Sequence, residues 1–247
     1  MSGAVRRKYS VRFARSAADV SRAQALRARR FRAGPEGSAF DADADAFDAR
    51  ALHALVEEND GGRLVCCFRL LRFADGAEIA SSYSAQFYGL NGLARYPGPM
   101  LEMGRFCVEA EVADPTVLRV AWGALAHYVE AQRIGLLFGC SSFAGTEAGI
   151  YADAFALLKD RHLGPRRWLP RVKAPSVFRF ARKLRLRTPD LKAAARAMPP
   201  LLRSYLAMGS WVSDHAVVDR DLGTLHVFTG LEIAAAPAAR LRALRAA

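Results

Sequence analysis

The chain predicts a mixed α/β fold, and three observations carry that reading. Residues 101–108 read L-E-M-G-R-F-C-V, a short apolar stretch holding a glutamate and an arginine three positions apart. Asp114-Pro115 then opens an amphipathic helix, and residues 134–141 form a second, fully apolar run. Strand, helix and strand in that order make a β-α-β unit with two parallel, neighbouring strands. With 247 residues and 52% hydrophobic composition the chain can bury one sizeable core. Length alone admits one domain or two small ones. We read a single domain over 1–247, with 175–210 as a basic helical insertion or cap.

Taken in order, Ser16 can cap a helix whose fourth position is Asp19, a loose capping box. Val20, Ala23, Leu26, Arg27, Arg30 and Phe31 recur at helical spacing, and Gly34-Pro35-Glu36-Gly37 ends the helix. Residues 40–50 form an aspartate-rich loop with Asp41, Asp43, Asp45 and Asp48. Residues 63–73 read as a strand with Leu64, Cys66, Phe68 and Leu70 on one face. Asp75-Gly76 is a hairpin-turn candidate, and 79–88 continues in β style.

Downstream, Asp114 suits an N-cap and Pro115 the first helical position. Leu118, Trp122, Leu125 and Val129 then make one apolar stripe. After the strand at 134–141, Thr146 is expected to cap a helix that buries Ile150, Tyr151, Ala154, Phe155 and Leu158 and stops at His162-Leu163-Gly164-Pro165. Residues 193–198 and 201–208 read as two short helices, and 224–233 returns to strand.

The net charge of +12 is clustered. Residues 1–32 hold ten basic side chains against Asp19 alone, and 166–187 hold nine with no acid. Such patches suit nucleic acid, anionic lipid or an acidic protein, and charge alone does not choose among them. Four cysteines (Cys66, Cys67, Cys107 and Cys140) show no C-x-x-C and no zinc spacing with histidine, and read as small hydrophobes in strands. No apolar run is long enough to cross a bilayer, and residues 1–10 lack a signal-peptide core, so the cytoplasm is the expected compartment. G-x-S-x-G and G-x-x-x-x-G-K-[ST] are both missing, which argues against a serine hydrolase and a phosphate-loop NTPase. His215 beside Asp214 could form a dyad, but no nucleophile motif accompanies it.

Several charges fall at particular spacings: Arg27 with Phe31 one helical turn on, Asp45 and Asp48 around Phe47, Arg69 inside an apolar strand, and Glu102 with Arg105. Together these positions resemble the acyl-homoserine-lactone synthases, which use such an Arg/Asp/Arg/Glu/Arg cluster. The blocks L-E-M-G-R-F-C-V, A-W-G-A-L, L-F-G-C-S-S-F-A-G-T, M-P-P-L-L-R-S-Y-L-A-M-G, W-V-S-D-H-A-V-V-D-R-D and L-H-V-F-T-G-L-E-I look like the bacterial ornithine lipid N-acyltransferases. That resemblance implies a GNAT-like acyltransferase fold, a twisted mixed sheet flanked by helices. It also implies transfer of a 3-hydroxyacyl chain from acyl carrier protein to the α-amine of L-ornithine, giving lyso-ornithine lipid, with no bound cofactor and the 4'-phosphopantetheine thioester as donor.

In GNAT-like folds the two parallel strands splay and expose backbone to the pantetheine arm; here those strands are 101–108 and 134–141. An amine attacking a thioester needs a neutral amine, a polarised carbonyl and a departing thiolate. Glu102 is the candidate base, or else a buried partner of Arg105 or Arg27. Residues three apart on a regular strand face opposite sides, so a shared Glu102–Arg105 pocket requires a bulge, expected at Gly104. Asp45 and Asp48 are candidates for the acceptor's side-chain cation or for ordering the loop, and Arg69 and Arg105 for its carboxylate or for an internal charge network. Tyr151 is a candidate acid for the thiolate or a core aromatic. Ser141, Ser142 and Thr146 can contact the pantetheine arm or satisfy local backbone.

No R/Q-x-x-G-x-G/A segment precedes the central helix, a departure from ordinary GNAT enzymes that favours a carrier-protein donor over CoA. The basic patches then have an acidic partner in acyl carrier protein. A lipid product also fits peripheral contact with an anionic membrane at the inner face, where 179–187 with Phe178, Phe180, Leu184 and Leu186 could lie. Rival readings are acylation of glycine, glutamine or lysine, homoserine-lactone synthesis, or a basic module binding nucleic acid or membrane. Nucleic acid is not the expected partner, because such a module leaves Glu102, Arg105 and the aspartates without a purpose.

Overall fold

A computed structural model of the protein describes residues 7–32, 42–237, 239–240 and 242. Its first strands and helices are β1 (Tyr9–Phe13), α1 (Ala17–Phe31), β2 (Leu52–Glu58), β3 (Leu64–Phe73), β4 (Tyr88–Gly89), β5 (Met100–Val108) and α2 (Pro115–Ala131). The second half adds β6 (Leu136–Ala144), α3 (Ala152–Arg161), β7 (Arg171–Val172), β8 (Val177–Phe178) and α4 (Phe180–Lys183). It closes with α5 (Leu191–Ala197), α6 (Pro200–Ala207), β9 (Trp211–Asp219) and β10 (Thr224–Glu232). The chain divides into two compact units, one of residues up to Leu71 with Met103–Gln132, the other of Arg72–Glu102 with Arg133–Arg240. Strand β5 contributes residues to both.

In the first unit β1 pairs antiparallel with β2, and β2 with β3. The later residues of β5 lie next to β3, where Phe106 stacks on Phe68 at 5.5 Å. Ser16 Oγ accepts from the Asp19 N–H and starts α1, as its spacing predicts. The Asp19 carboxylate reaches back to the Arg15 N–H and to the Arg12 guanidinium rather than to the cap residue itself. Helix α2 begins as expected, with Asp114 accepting from the Thr116 N–H and Pro115 in its first turn. Its buried stripe is Val117, Ala121, Trp122, Leu125 and Val129, while Leu118 is only half-buried. Ala23, Leu26, Leu55, Leu64, Cys67 and Cys107 form a core cluster against which Phe31 packs. The cysteines are free; burial pushes the Cys66 and Cys107 thiols upward, so both behave as small apolar groups.

In the second unit the first residues of β5 run parallel to β6, with Met100, Leu101 and Glu102 opposite Leu136, Leu137 and Phe138. This is the predicted parallel pair. β6 pairs antiparallel with β10, β10 with β9, and β9 with β8. β4 and β7 make a separate two-stranded ladder. Trp211 on β9 lies across two glycines: a Cβ at Gly230 would meet its ring at 2.4 Å and one at Gly164 at 2.5 Å, so neither position admits a side chain while the indole stays there. Within 175–210, β8 joins β9, α4 and α5 pack on α3, and α6 packs on β6. Phe155 of α3 stacks on Phe180 at 5.2 Å.

Several sequence expectations need correction. Residues 79–88 are not a strand: 3-10 turns occupy Gly76–Ser81 and Ser84–Gln86. The reason is local, because Asp75, Ser81 and Ser82 side chains bond their own nearby backbone and compete with a ladder. For the same reason Asp75-Gly76 does not turn a hairpin but starts the first of these turns. Thr146 does not cap a helix; it follows Gly145 (φ 73°), a 3-10 turn covers Ala148–Tyr151, and α3 starts after Tyr151 without a side-chain cap. Ile150 is therefore exposed and Tyr151 half-buried. Strands β1, β2, β7, β8 and β9 are additions to the expected elements, and β8 falls in the stretch read as helical. The proposed helix stop at 34–37 and the start of the acidic loop, with Asp41, lie outside the described residues. No helix among the described residues is long and apolar enough to cross a membrane.

Candidate active site

The predicted charged residues of the first unit come together as one buried lattice. Arg27, 1% exposed, leaves α1 to donate from Nε to Asp43 Oδ2 (3.0 Å) and from Nη1 and Nη2 to the two oxygens of Asp48 (2.8 and 3.0 Å). It also donates to the Asp43 carbonyl oxygen. Arg69 on β3 donates to Asp45 Oδ1 and Oδ2 (2.5 and 2.8 Å) and to Asp48 Oδ1 (2.8 Å). Arg105 on β5 donates to Asp43 Oδ2 (2.8 Å) and Asp45 Oδ2 (3.3 Å). Fork-shaped guanidiniums facing paired carboxylates are the strong form of this contact.

Two members of the lattice go beyond the sequence prediction. Asp43 accepts from Arg27, from Arg105 and from Arg32 (2.7 Å), which makes it the carboxylate shared by three cations. Its only sequence signal is its place in the D-A-D-A-D run, where alternation does not separate it from its neighbours. Burial opposes ionisation of Asp43, yet Arg105, Arg32 and Arg27 outweigh it and hold the carboxyl below the usual range. Asp48 is depressed in the same way: burial opposes, and hydrogen bonds from Arg27, Gln24 and Arg69 prevail. The Asp45 side chain is the most open of the three aspartates, at 24%. Phe47 between them carries the Arg69 guanidinium 5.5 Å from its ring centre.

The bulge was expected at Gly104; the left-handed residue in this strand is the next one, Arg105. Arg105 takes φ 53°, a left-handed backbone that costs a side-chain-bearing residue about 1–2 kcal/mol, and its two aspartate partners hold it there. Gly104 keeps the space beside Arg69, whose Nε would lie 3.7 Å from an added Cβ.

Glu102 belongs to the second unit and is fully enclosed. Its Oε2 accepts from the Tyr83 N–H (2.8 Å), and its Oε1 from the Ser84 N–H (2.7 Å) and hydroxyl (2.6 Å). Ser84, which no motif signals, also places its Oγ 3.4 Å from Cys140 Sγ on β6. Glu102 is opposite Phe138 in the last pair of the β5–β6 ladder, while β6 runs on to Ala144 paired with β10. The buried carboxylate thus sits where the parallel pairing stops.

The remaining candidates are dispersed along β6 and beyond it. Ser141 is buried and accepts from Thr229 Oγ1 (2.9 Å), whereas Ser142 and Thr146 are exposed. Tyr151 donates to the Ala144 carbonyl oxygen (2.7 Å) and packs on Phe143 and Phe155. His215 Nδ1 lies 2.6 Å from Asp214 Oδ1, and Tyr88 Oη lies 3.1 Å from His226 Nδ1. Burial, with His215 nearby, lowers the His226 pKa to about 4. A cavity of about 520 Å³ in the first unit is lined by Arg7, Lys8, Arg119 and His127 among others, and none of the predicted site residues reaches it.

With this geometry in hand, comparison with known proteins is direct. A family model described as an acetyltransferase (GNAT) domain matches residues 26–123. The chain is 34% identical over 230 residues to the L-ornithine N(alpha)-acyltransferase of Rhodobacter capsulatus, covering 89% of this chain and 88% of that protein. It is 31% identical over 235 residues to the L-ornithine N(alpha)-acyltransferase of Rhizobium meliloti, covering 90% and 79%. Among solved structures, the AHL synthase LasI aligns at a TM-score of 0.41 with 15% identity, over 90% of this chain and 89% of that one.

Proposed function

The chain belongs to the L-ornithine N(alpha)-acyltransferase family, and from that premise we propose that it moves a 3-hydroxyacyl chain from acyl carrier protein to the α-amine of L-ornithine, yielding lyso-ornithine lipid. The observation that carries the mechanism is the placement of buried Glu102 at the last pair of the parallel ladder. Beyond Phe138, alternate N–H groups of β6 point away from β10, and in the proposed complex they polarise the thioester carbonyl. The neutral amine attacks the carbonyl carbon; the C–N bond forms, the C–S bond breaks, and its electron pair leaves on sulfur. Glu102 takes the ammonium proton, directly or through one water, with Ser84 and the Tyr83–Ser84 backbone fixing its orientation. We assign Tyr151 to holding the end of β6, since its hydroxyl is spent on Ala144, and the thiolate takes its proton from solvent.

A carrier-protein donor is supported at the start of α2. The segment before that helix carries Glu109, Glu111 and Asp114, and the Asp114 side chain already occupies the first-turn N–H of Thr116. The diphosphate of CoA would meet three carboxylates there in place of open helix N–H groups. In the first unit, Asp45 is the most open of the three aspartates, while Arg27 and Asp48 are locked in the lattice. A lipid product makes the inner membrane face its proposed place of action.

The test is thiol release from 3-hydroxyacyl carrier protein with each of several amino acids, followed by mass spectrometry of the product. Ornithine-dependent release with an N-acyl-ornithine product is the expected outcome. Release with glycine, glutamine or lysine instead would overturn the acceptor, and equal turnover with 3-hydroxyacyl-CoA would overturn the donor.

A further inference from the structure

The three most exposed large apolar side chains among the described residues are Leu186 (85%), Ile150 (65%) and Leu191 (49%). They come from three separate segments, yet one carboxylate ties those segments together. Asp153 Oδ1, three residues after Ile150, accepts from Arg187 Nε (3.0 Å) and from the Asp190 N–H (3.2 Å), the immediate neighbours of Leu186 and Leu191. Lys159 Nζ further donates to the carbonyl oxygens of Arg185 and Arg187 (3.4 and 3.3 Å). The segment around Leu186 is thus pinned to the polar side of α3 at both of its flanks, and the leucine points outward.

Cations predominate around the tip. Arg182, Arg185 and Lys192 are exposed there. Of the nearby carboxylates, Asp153 pairs with Arg187, Asp160 pairs with Lys159 and Asp190 caps α5, while Glu147, three residues before Ile150, is exposed. The stretch 179–187 does not lie on a surface as a whole, because α4 is only four residues long, Phe180 is fully buried, and Phe178 and Leu184 are half-buried. Leu186 alone of that set reaches solvent, and it is joined by Ile150 and Leu191 from elsewhere.

We propose that Leu186, Ile150 and Leu191 form an apolar tip that enters the surface of an anionic bilayer, with Arg182, Arg185 and Lys192 meeting lipid phosphates. An acidic protein would satisfy the cations, but three protruding aliphatic side chains on one tip suit a deformable apolar phase better than a fixed protein surface. A fluid interface does both, and the tip lacks the aromatic anchors that centre protein–protein contacts. The proposal deepens the membrane-face reading above, and vesicle binding succeeds or fails independently of acyl transfer.

The experiment is cosedimentation of the full chain with phosphatidylcholine vesicles, with and without phosphatidylglycerol, in the absence of substrate. Binding is expected only to the anionic vesicles and is expected to weaken with salt. Leu186→Glu is expected to lower it about tenfold, and Arg182→Glu with Arg185→Glu by a similar or larger factor. Thiol release from soluble acyl carrier protein and the circular dichroism spectrum of the Leu186→Glu variant should match the parent. Absence of binding to anionic vesicles, or unchanged binding by both variants, would overturn the proposal. So would a rise in the KM for acyl carrier protein in the charge-reversed variant with vesicle binding intact, which would make the face a carrier-protein surface.

Discussion

The two units place buried charge against different described partners. In the first, Arg27, Arg69 and Arg105 are matched against Asp43, Asp45 and Asp48, so each buried ion faces several of opposite sign. In the second, Glu102 accepts from the Tyr83 and Ser84 backbone N–H groups and from the Ser84 hydroxyl. A lattice of interlocked guanidiniums and carboxylates is rigid, and removing one ion strands its partners in a low-dielectric interior. Hydrogen bonds from backbone N–H groups fix the direction in which a carboxylate points. The lattice is architecture, with Asp45 its most open aspartate, and the glutamate is the proposed base.

The sharpest way to break that comparison is Glu102→Gln. If the glutamate is the base, kcat falls by roughly 10²–10⁴ while the unfolding free energy drops by only about 1–3 kcal/mol, from one amide facing backbone donors. An unchanged kcat in single-turnover thiol release would remove Glu102 from the chemistry. Asp43→Asn should do the reverse, costing roughly 3–5 kcal/mol of stability in denaturant unfolding because three arginines lose their shared anion. Its kcat per folded molecule should stay near the parent's. Because Asp43 is held ionised by those arginines, its share of stability is present above the unfolded carboxyl value, near pH 4, and is lost as pH falls further.

An effect confined to acid pH concerns His226. Its folded pKa of about 4 lies below the ordinary histidine value of 6.5, so between those limits the unfolded chain binds a proton that the native state refuses. Stability should decline by about 1.4 kcal/mol per pH unit as pH drops through that window. His226→Phe should flatten this slope in pH-resolved thermal unfolding, and an unaltered slope would place the proton elsewhere.

Much of this was legible along the chain wherever neighbours in sequence settle the matter. Asp114-Pro115 starts α2 because cap and first turn are adjacent residues, and the order of β5, α2 and β6 implies parallel strands whatever surrounds them. Arg27, Asp48 and Arg69 drew notice through a family resemblance, since nothing in their spacing says that they meet. Asp43 and Ser84 carried no such mark, because each gains its role from partners far along the chain. Residues 79–88 misled because small polar side chains that tolerate a strand also close local turns.

What the sequence determined by itself was therefore whatever depends on covalent neighbours: composition, caps, the fold class and the order of the central strands. Tertiary structure alone decided which aspartate three arginines share, where the parallel ladder stops, and which leucine is left in water. Those outcomes follow from desolvation and hydrogen-bond geometry among groups that only folding brings within about 3 Å of one another.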